Sequence, residues 1–354
     1  MKFILLAALL LCGSLCRAQI ADPDAPVPDR QQYAQIGDFK LESGKIIKEC
    51  RVGFRTHGKL DKEKDNGVLF PTWFGGTSRD IELIASPWEV VDTNKFFLII
   101  VDALGNGISS SPSNSEAQHG ILFPQFSIRD MVESQHEMLK KQMGIKHLYA
   151  IMGISLGGIQ TFQWAVSYPN FSPRLIPIVG TPQPTSYDLM GYNIFRRIIE
   201  SDSAYYHGRY KVNPVISTGS MMLEYSATTP SRKSRYMSRD SFMVWQNKVD
   251  TTQAPDWNDT YYQLKAIISH DIARDFGGSL KAAAEHVNAR MLIVVSMQDH
   301  LMNPLPAMAF AKMIQARMII LNNDLGHEAP NFEDEQLQKG IRAMLADVEL
   351  YTSQ

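Results

Sequence analysis

Cysteine is scarce in this chain: there are three, at positions 12, 16 and 50. The first two fall in an apolar leader, so the remainder carries only Cys50 and no internal disulfide. A chain of 354 residues has enough core to fold without one. Excess charge of either sign is also missing. Charged residues make up 20% and the formal net charge is -2. That balance excludes electrostatic capture of nucleic acid or of an anionic membrane. There is no basic run interleaved with aromatics, no internal repeat and no low-complexity tract. Hydrophobic residues make up 44%, ordinary for a globular protein, which argues against long disorder.

The N-terminus has its own logic. Lys2 supplies a positive charge, Phe3 to Leu11 is apolar throughout, and Ala18 precedes Gln19. The apolar run is too short for a permanent bilayer span, so residues 1–18 read as a cleaved secretion signal and the mature chain as exported, periplasmic or extracellular. The alternatives are a retained anchor or a lipid-modified Cys16, for which Gly13-Ser14-Leu15 is a poor lead-in. Residues 19–32, rich in Asp and Pro, read as an exposed leader. Cys50 lies in an early strand pattern and reads as a small core residue.

Farther along, the chain alternates apolar strand runs with helical patterns, the mark of a mostly parallel sheet flanked by helices. Strands are expected at Val68–Trp73, Phe96–Ala103, Leu148–Met152, Leu175–Val179, Met291–Ser296 and Met318–Leu321. Helices are expected at Ile128–Met143, Gly158–Tyr168 and from Asp334 to about Glu349. Between about Gln183 and Glu285 helical stretches continue without strands. The expected organisation is therefore a first core part (19–182), an inserted helical lid (183–286) and a second core part (287–354). The methionines of the insert read mostly as core filling.

One motif carries chemistry. Gly153-Ile154-Ser155-Leu156-Gly157 matches G-x-S-x-G between a strand and a helix. A serine on so sharp a turn strains its own backbone, and side chains two residues to either side would collide, hence the glycines. The following helix N-terminus aims N–H groups at developing negative charge. On such a sheet an acid and then a histidine come after the nucleophile in the chain. Asp299 and His327 each lie just past a strand's carboxyl end, where a doubly wound sheet gathers its site. The nearest rival acid, Asp324, is only three residues from His327. Two backbone N–H groups are expected to hold an oxyanion: Leu156, next after the nucleophile, and Phe74 in Trp73-Phe74-Gly75-Gly76.

These residues, with Phe126-Ser127-Ile128-Arg129-Asp130-Met131 and Trp164-Ala165-Val166-Ser167-Tyr168-Pro169, resemble the homoserine O-acetyltransferase branch of the α/β-hydrolases. The likeness runs from about Val68 to Pro182 and resumes from Met291 to Pro330. It implies the α/β-hydrolase fold, a helical lid, an acyl-serine intermediate and often a homodimer through lid helices. It implies no metal and no organic cofactor. Departures bear on function. Glu224 falls where the family's lid arginine, which holds the substrate carboxylate, is expected. Glu328 comes after the histidine where the family places an aspartate that contacts the substrate amine. Glu224 and Glu328 are thus candidate substrate-binding positions, with Arg196, Arg197 and Arg209 as other sources of a cation. An exported enzyme would also lack acetyl-CoA. The expectation is a hydrolase of small-molecule carboxylic esters. The alternatives are an O-acyltransferase and a non-catalytic binding protein on the same scaffold.

Overall fold

The computed structural model describes residues 30–252 and 254–346; the expected secretion signal lies outside them. Eight strands form one sheet: β1 (Gln32–Lys40), β2 (Ile46–His57), β3 (Gly67–Pro71), β4 (Phe97–Val101), β5 (Ala150–Ile154), β6 (Arg174–Ile178), β7 (Arg290–Ser296) and β8 (Arg317–Leu321). Their spatial order is β1-β2-β4-β3-β5-β6-β7-β8. β1, β2 and β4 pair antiparallel, and every pair from β4 to β8 is parallel. β1 begins at Gln32, so the last residue of the expected leader already belongs to the sheet.

The expected strands are present with small shifts. Their continuous apolar runs are explained by burial on both faces. Leu69, Ile99, Ile151, Leu175 and Ile293 point into one core. Their neighbours Val68, Leu98, Ala150, Ile176 and Leu292 point into the other, as the two-residue strand period requires. Cys50 is fully buried on β2, and burial pushes its thiol up to about 12.

The two long helices that precede the insertion among the described residues are α1 (Ile128–Met138) and α2 (Leu156–Ser167), besides a short helical segment from Ser78 to Ala85. Ser127 and Asp130 form a reciprocal cap at the start of α1. α1 then continues as one wide turn over Leu139–Met143. Among the described residues no strand lies between β6 and β7. That stretch holds α3 (Ser186–Ser201), α4 (Ser217–Ala227), α5 (Pro230–Tyr236), α6 (Arg239–Val249), α7 (Trp257–Ile268) and α8 (Leu280–Glu285). α9 (Pro304–Met313) and α10 (Glu335–Ala346) complete the second core part. No helix among the described residues is long and apolar enough to cross a membrane.

The chain runs from β3 outward to β4, then crosses back to β5 on the opposite side of β3. The carboxyl ends of β3 and β5 therefore flank a switch point, where loops diverge and leave a crevice.

Candidate active site

Ser155 stands at that crevice, directly after β5, with φ 59° and ψ -120°. The surrounding glycines are there for space. A Cβ on Gly153 would lie 2.5 Å from the Gly157 backbone, and one on Gly157 would lie 2.4 Å from the Pro71 carbonyl oxygen. Gly180, just past β6, belongs to the same packing: its Cβ would sit 2.5 Å from Gly158. That third contact has no signature in the local motif.

His327 Nε2 lies 2.7 Å from Ser155 Oγ, and His327 Nδ1 lies 2.6 Å from Asp299 Oδ2. The other Asp299 oxygen accepts the backbone N–H groups of Leu301 (2.9 Å) and Met302 (2.8 Å). With a carboxylate at Oδ2, Nδ1 carries the ring proton and Nε2 presents its lone pair to the serine hydroxyl. The Asp299 side chain is 1% exposed. The rival Asp324 is turned elsewhere: it pairs with Arg235, and its carbonyl accepts the Thr229 hydroxyl at 2.5 Å.

The residues expected to carry the oxyanion donors adjoin Ser155: Leu156 follows it in the chain, and Phe74 lines the same cavity. Leu156 is the first residue of α2, where an N–H has no acceptor within the helix. Trp73 to Gly76 form a turn in which Gly76 N–H donates to Trp73 O at 3.1 Å and Gly75 has φ 67°. Gly75 N–H donates to Gln263 Oε1 at 2.8 Å. Of the three N–H groups after Trp73, only that of Phe74 is left without a protein acceptor among the described residues. Beneath the turn a buried amide chain runs from Trp164 through Gln135 to Gln160, which donates to the Thr72 carbonyl at 3.1 Å.

Ser155 and His327 open on a cavity of about 130 Å³. This is well below the roughly 300–1,000 Å³ of pockets that take drug-sized ligands. Its apolar walls include Trp73, Phe74, Ile154, Leu223, Leu301 and Phe332. Its charged side chains are Asp80 and Glu328; no lysine or arginine among the described residues lines it. Asp80 is engaged in capping Thr77. Glu328 Oε1 is buried without a partner, and burial pushes its carboxyl above the ordinary range while Lys233 works in the opposite direction. Glu224 is absent from this cavity. It is buried on α4, paired with Lys233, and lines an adjoining recess that shares Phe74, Gly75, Leu223 and Ala227 with the cavity. Arg196, Arg197 and Arg209 do not line the cavity either, and Arg196 pairs with Glu200 at 2.6 Å.

The insertion grips three loops around this site, which local sequence patterns do not reveal. Asp188 on α3 accepts the Asn303 N–H at 2.8 Å, and Tyr192 donates to the Leu301 carbonyl at 2.9 Å, so both hold the Asp299 loop. Thr229 and Arg235 hold the segment before His327. Gln263 on α7 holds the turn after β3.

A sequence model of the α/β hydrolase fold matches residues 68–311. An ethyl acetate hydrolase of Pseudomonas veronii is 35% identical over 190 residues. That match spans 53% of this chain and 54% of the relative, about half of each. A homoserine O-acetyltransferase of Methanococcoides burtonii is 28% identical over 358 residues, covering 87% of this chain and 72% of that one. Among solved structures, the acetyl esterase MekB superposes with a TM-score of 0.82 at 27% identity, over 90% of this chain and 97% of that one. The chain belongs to the α/β-hydrolase fold family, in the branch that holds both acetyl esterases and homoserine O-acetyltransferases, and is an enzyme of the serine-hydrolase type.

Proposed function

We propose that this enzyme hydrolyses short, uncharged carboxylic esters through an acyl-Ser155 intermediate. The observation that carries the proposal is the continuous Ser155–His327–Asp299 hydrogen-bond chain opening on a small apolar cavity without a cation. Ser155 Oγ attacks the ester carbonyl carbon while His327 Nε2 takes its proton. Asp299 holds the ring orientation and balances the imidazolium charge. The N–H groups of Leu156 and Phe74 stabilise the tetrahedral oxyanion. Collapse expels the alkoxide, which takes the proton from His327. Water, deprotonated by the same nitrogen, then attacks the acyl carbon and regenerates Ser155.

Transfer to homoserine differs only in the acceptor of the acyl group. That acceptor is a zwitterion: Glu328 stands where it would meet the amine, but no lysine or arginine among the described residues lines the cavity to hold the carboxylate. The intact triad also speaks against a non-catalytic binding role. The test is a series of p-nitrophenyl esters from acetate to octanoate, beside acetyl-CoA with and without homoserine. A fluorophosphonate probe is applied to wild type and to Ser155→Ala. We expect turnover to be greatest on the short esters, labelling of wild type only, and no acetylhomoserine. Saturable acetylhomoserine formation at millimolar homoserine would overturn the hydrolytic reading.

The proposal includes export after loss of residues 1–18, supported by Lys2, the apolar Phe3–Leu11 and Ala18 before Gln19. A mature N-terminus at Gln19 is the expected result of sequencing the processed protein.

A further inference from the structure

Gln263 has no exposed surface, yet it belongs to the insertion and not to the sheet. Its amide is spent on two backbone groups that flank the crevice. Nε2 donates to the Leu104 carbonyl, after β4, at 3.0 Å, and Oε1 accepts from Gly75 N–H, after β3, at 2.8 Å. The orientation of the amide is decided by its partners: a carbonyl only accepts and a peptide N–H only donates. The turn is tied at two further points. Asn106 Nδ2 donates to Gly76 O at 3.0 Å, and the buried Asp102 accepts Ser78 N–H at 2.6 Å and Asn106 Nδ2 at 2.9 Å. Those two ties hold the far end of the turn, from Gly76 onward. Among the described residues, Gln263 alone hydrogen-bonds Gly75, the residue bonded to Phe74.

We infer that Gln263 is a positioning residue for the Phe74 oxyanion donor. By consuming the Gly75 N–H it sets the orientation of the Trp73–Gly76 turn and leaves the Phe74 N–H aimed at the crevice. The inference rests on the acyl-serine reading above. It makes the insertion a part of the catalytic apparatus, because helix α7 supplies the acceptor that orients a donor on the sheet. A misdirected N–H weakens transition-state binding while leaving the apolar cavity that binds the ester in place.

The test uses the full chain carrying Gln263→Met, which keeps the length and removes both polar atoms. A second variant, Gln263→Glu, keeps an acceptor for Gly75. Measured are kcat and KM on p-nitrophenyl acetate, the melting temperature, and inhibition by an alkyl trifluoromethyl ketone. That ketone adds to the serine and places its oxyanion on the same donors. For Gln263→Met we expect kcat to fall about 10- to 100-fold, below the loss for a deleted donor. KM should stay within about threefold, and ketone affinity should fall in proportion to kcat. Gln263→Glu should remain within about fivefold of wild type in kcat. Unchanged kcat and ketone affinity in Gln263→Met would overturn the inference, as would a rise in KM at constant kcat. Should Gln263→Met fail to fold, a hundredfold kcat loss in folded Gln263→Glu would overturn it. If the ketone does not inhibit wild type, it is the acyl-serine reading that fails.

Discussion

The sheet and the insertion contribute to this site in opposite ways. Segments that follow sheet strands supply the proposed reacting groups: Ser155 after β5, Asp299 after β7 and His327 after β8. The insertion supplies walls such as Leu223, and braces such as Asp188, Tyr192, Thr229 and Gln263 that act on loops far away in sequence. Gln263, for example, is 188 residues from Gly75. The difference teaches that the reacting groups and the contacts that position and enclose them are built from different parts of the chain. Turning the sheet-borne groups off should abolish turnover, whereas altering the insertion should retune it.

The largest effect should come from the sheet side. Asp299→Asn puts the His327 proton on the wrong nitrogen and should lower kcat by about 10⁴ with the fold intact. The matching Asp324→Asn disturbs only its contacts with Arg235 and Ser231 and should cost less than about tenfold. Steady-state assays on one ester compare them, and the reverse ranking would sink the assignment of the acid.

Next is Gly157→Ala. The new methyl group would press on the Pro71 carbonyl at 2.4 Å. Backbone cannot yield as a side-chain tip can, so about 3 kcal/mol of stability should be lost. Urea unfolding measures it. A variant as stable as wild type would show that the elbow tolerates volume there.

On the insertion side, Leu223 lines both the cavity beside Ser155 and two adjoining recesses of about 30 Å³ each. Leu223→Ala should join them. The ratio of kcat/KM for hexanoate over acetate esters should then rise about tenfold, within the range that one or two methylenes command. An unchanged ratio would mean that another wall limits chain length.

The smallest effect concerns how the insertion is seated. His270 lies just past α7, is buried, bonds to the Thr181 backbone and has no partner at Nε2. Burial lowers its pKa to about 3. The folded state therefore binds fewer protons than the unfolded state, whose histidine titrates near 6.5. Its stabilising contribution is complete above pH 6.5 and is lost as pH falls towards 3. Between pH 6.5 and 5.5 the loss should be about 1 kcal/mol. His270→Asn, which cannot titrate, should flatten that part of the stability profile. Parallel profiles for the two proteins would rule this out.

Much of the sheet and the triad is legible in the sequence because both rest on local rules. Apolar runs such as 97–101 mark strands covered on both faces. Gly153, Ser155 and Gly157 are spaced by a steric requirement of the turn itself. β1 is less legible: Gln32–Lys40 alternates imperfectly around an irregularity at Gly37, and its start merges with a polar leader. Glu224 shows the limit from the other direction. A helical position next to the site in the pattern turns out to be buried against Lys233, in a recess beside the cavity and not inside it.

The sequence by itself determined the architecture and singled out Ser155, Asp299 and His327 as candidates for nucleophile, acid and base, because periodicity, turn sterics and chain order act over a few residues or along the strand order. Only the tertiary structure decided which carboxylate meets His327 at 2.6 Å, that no lysine or arginine among the described residues lines the cavity, and that Asp188, Tyr192 and Gln263 brace the loops around it. Those outcomes depend on how helices of the insertion pack across the end of the sheet. A hydrogen bond between residues more than a hundred positions apart leaves no trace in the spacing of either one.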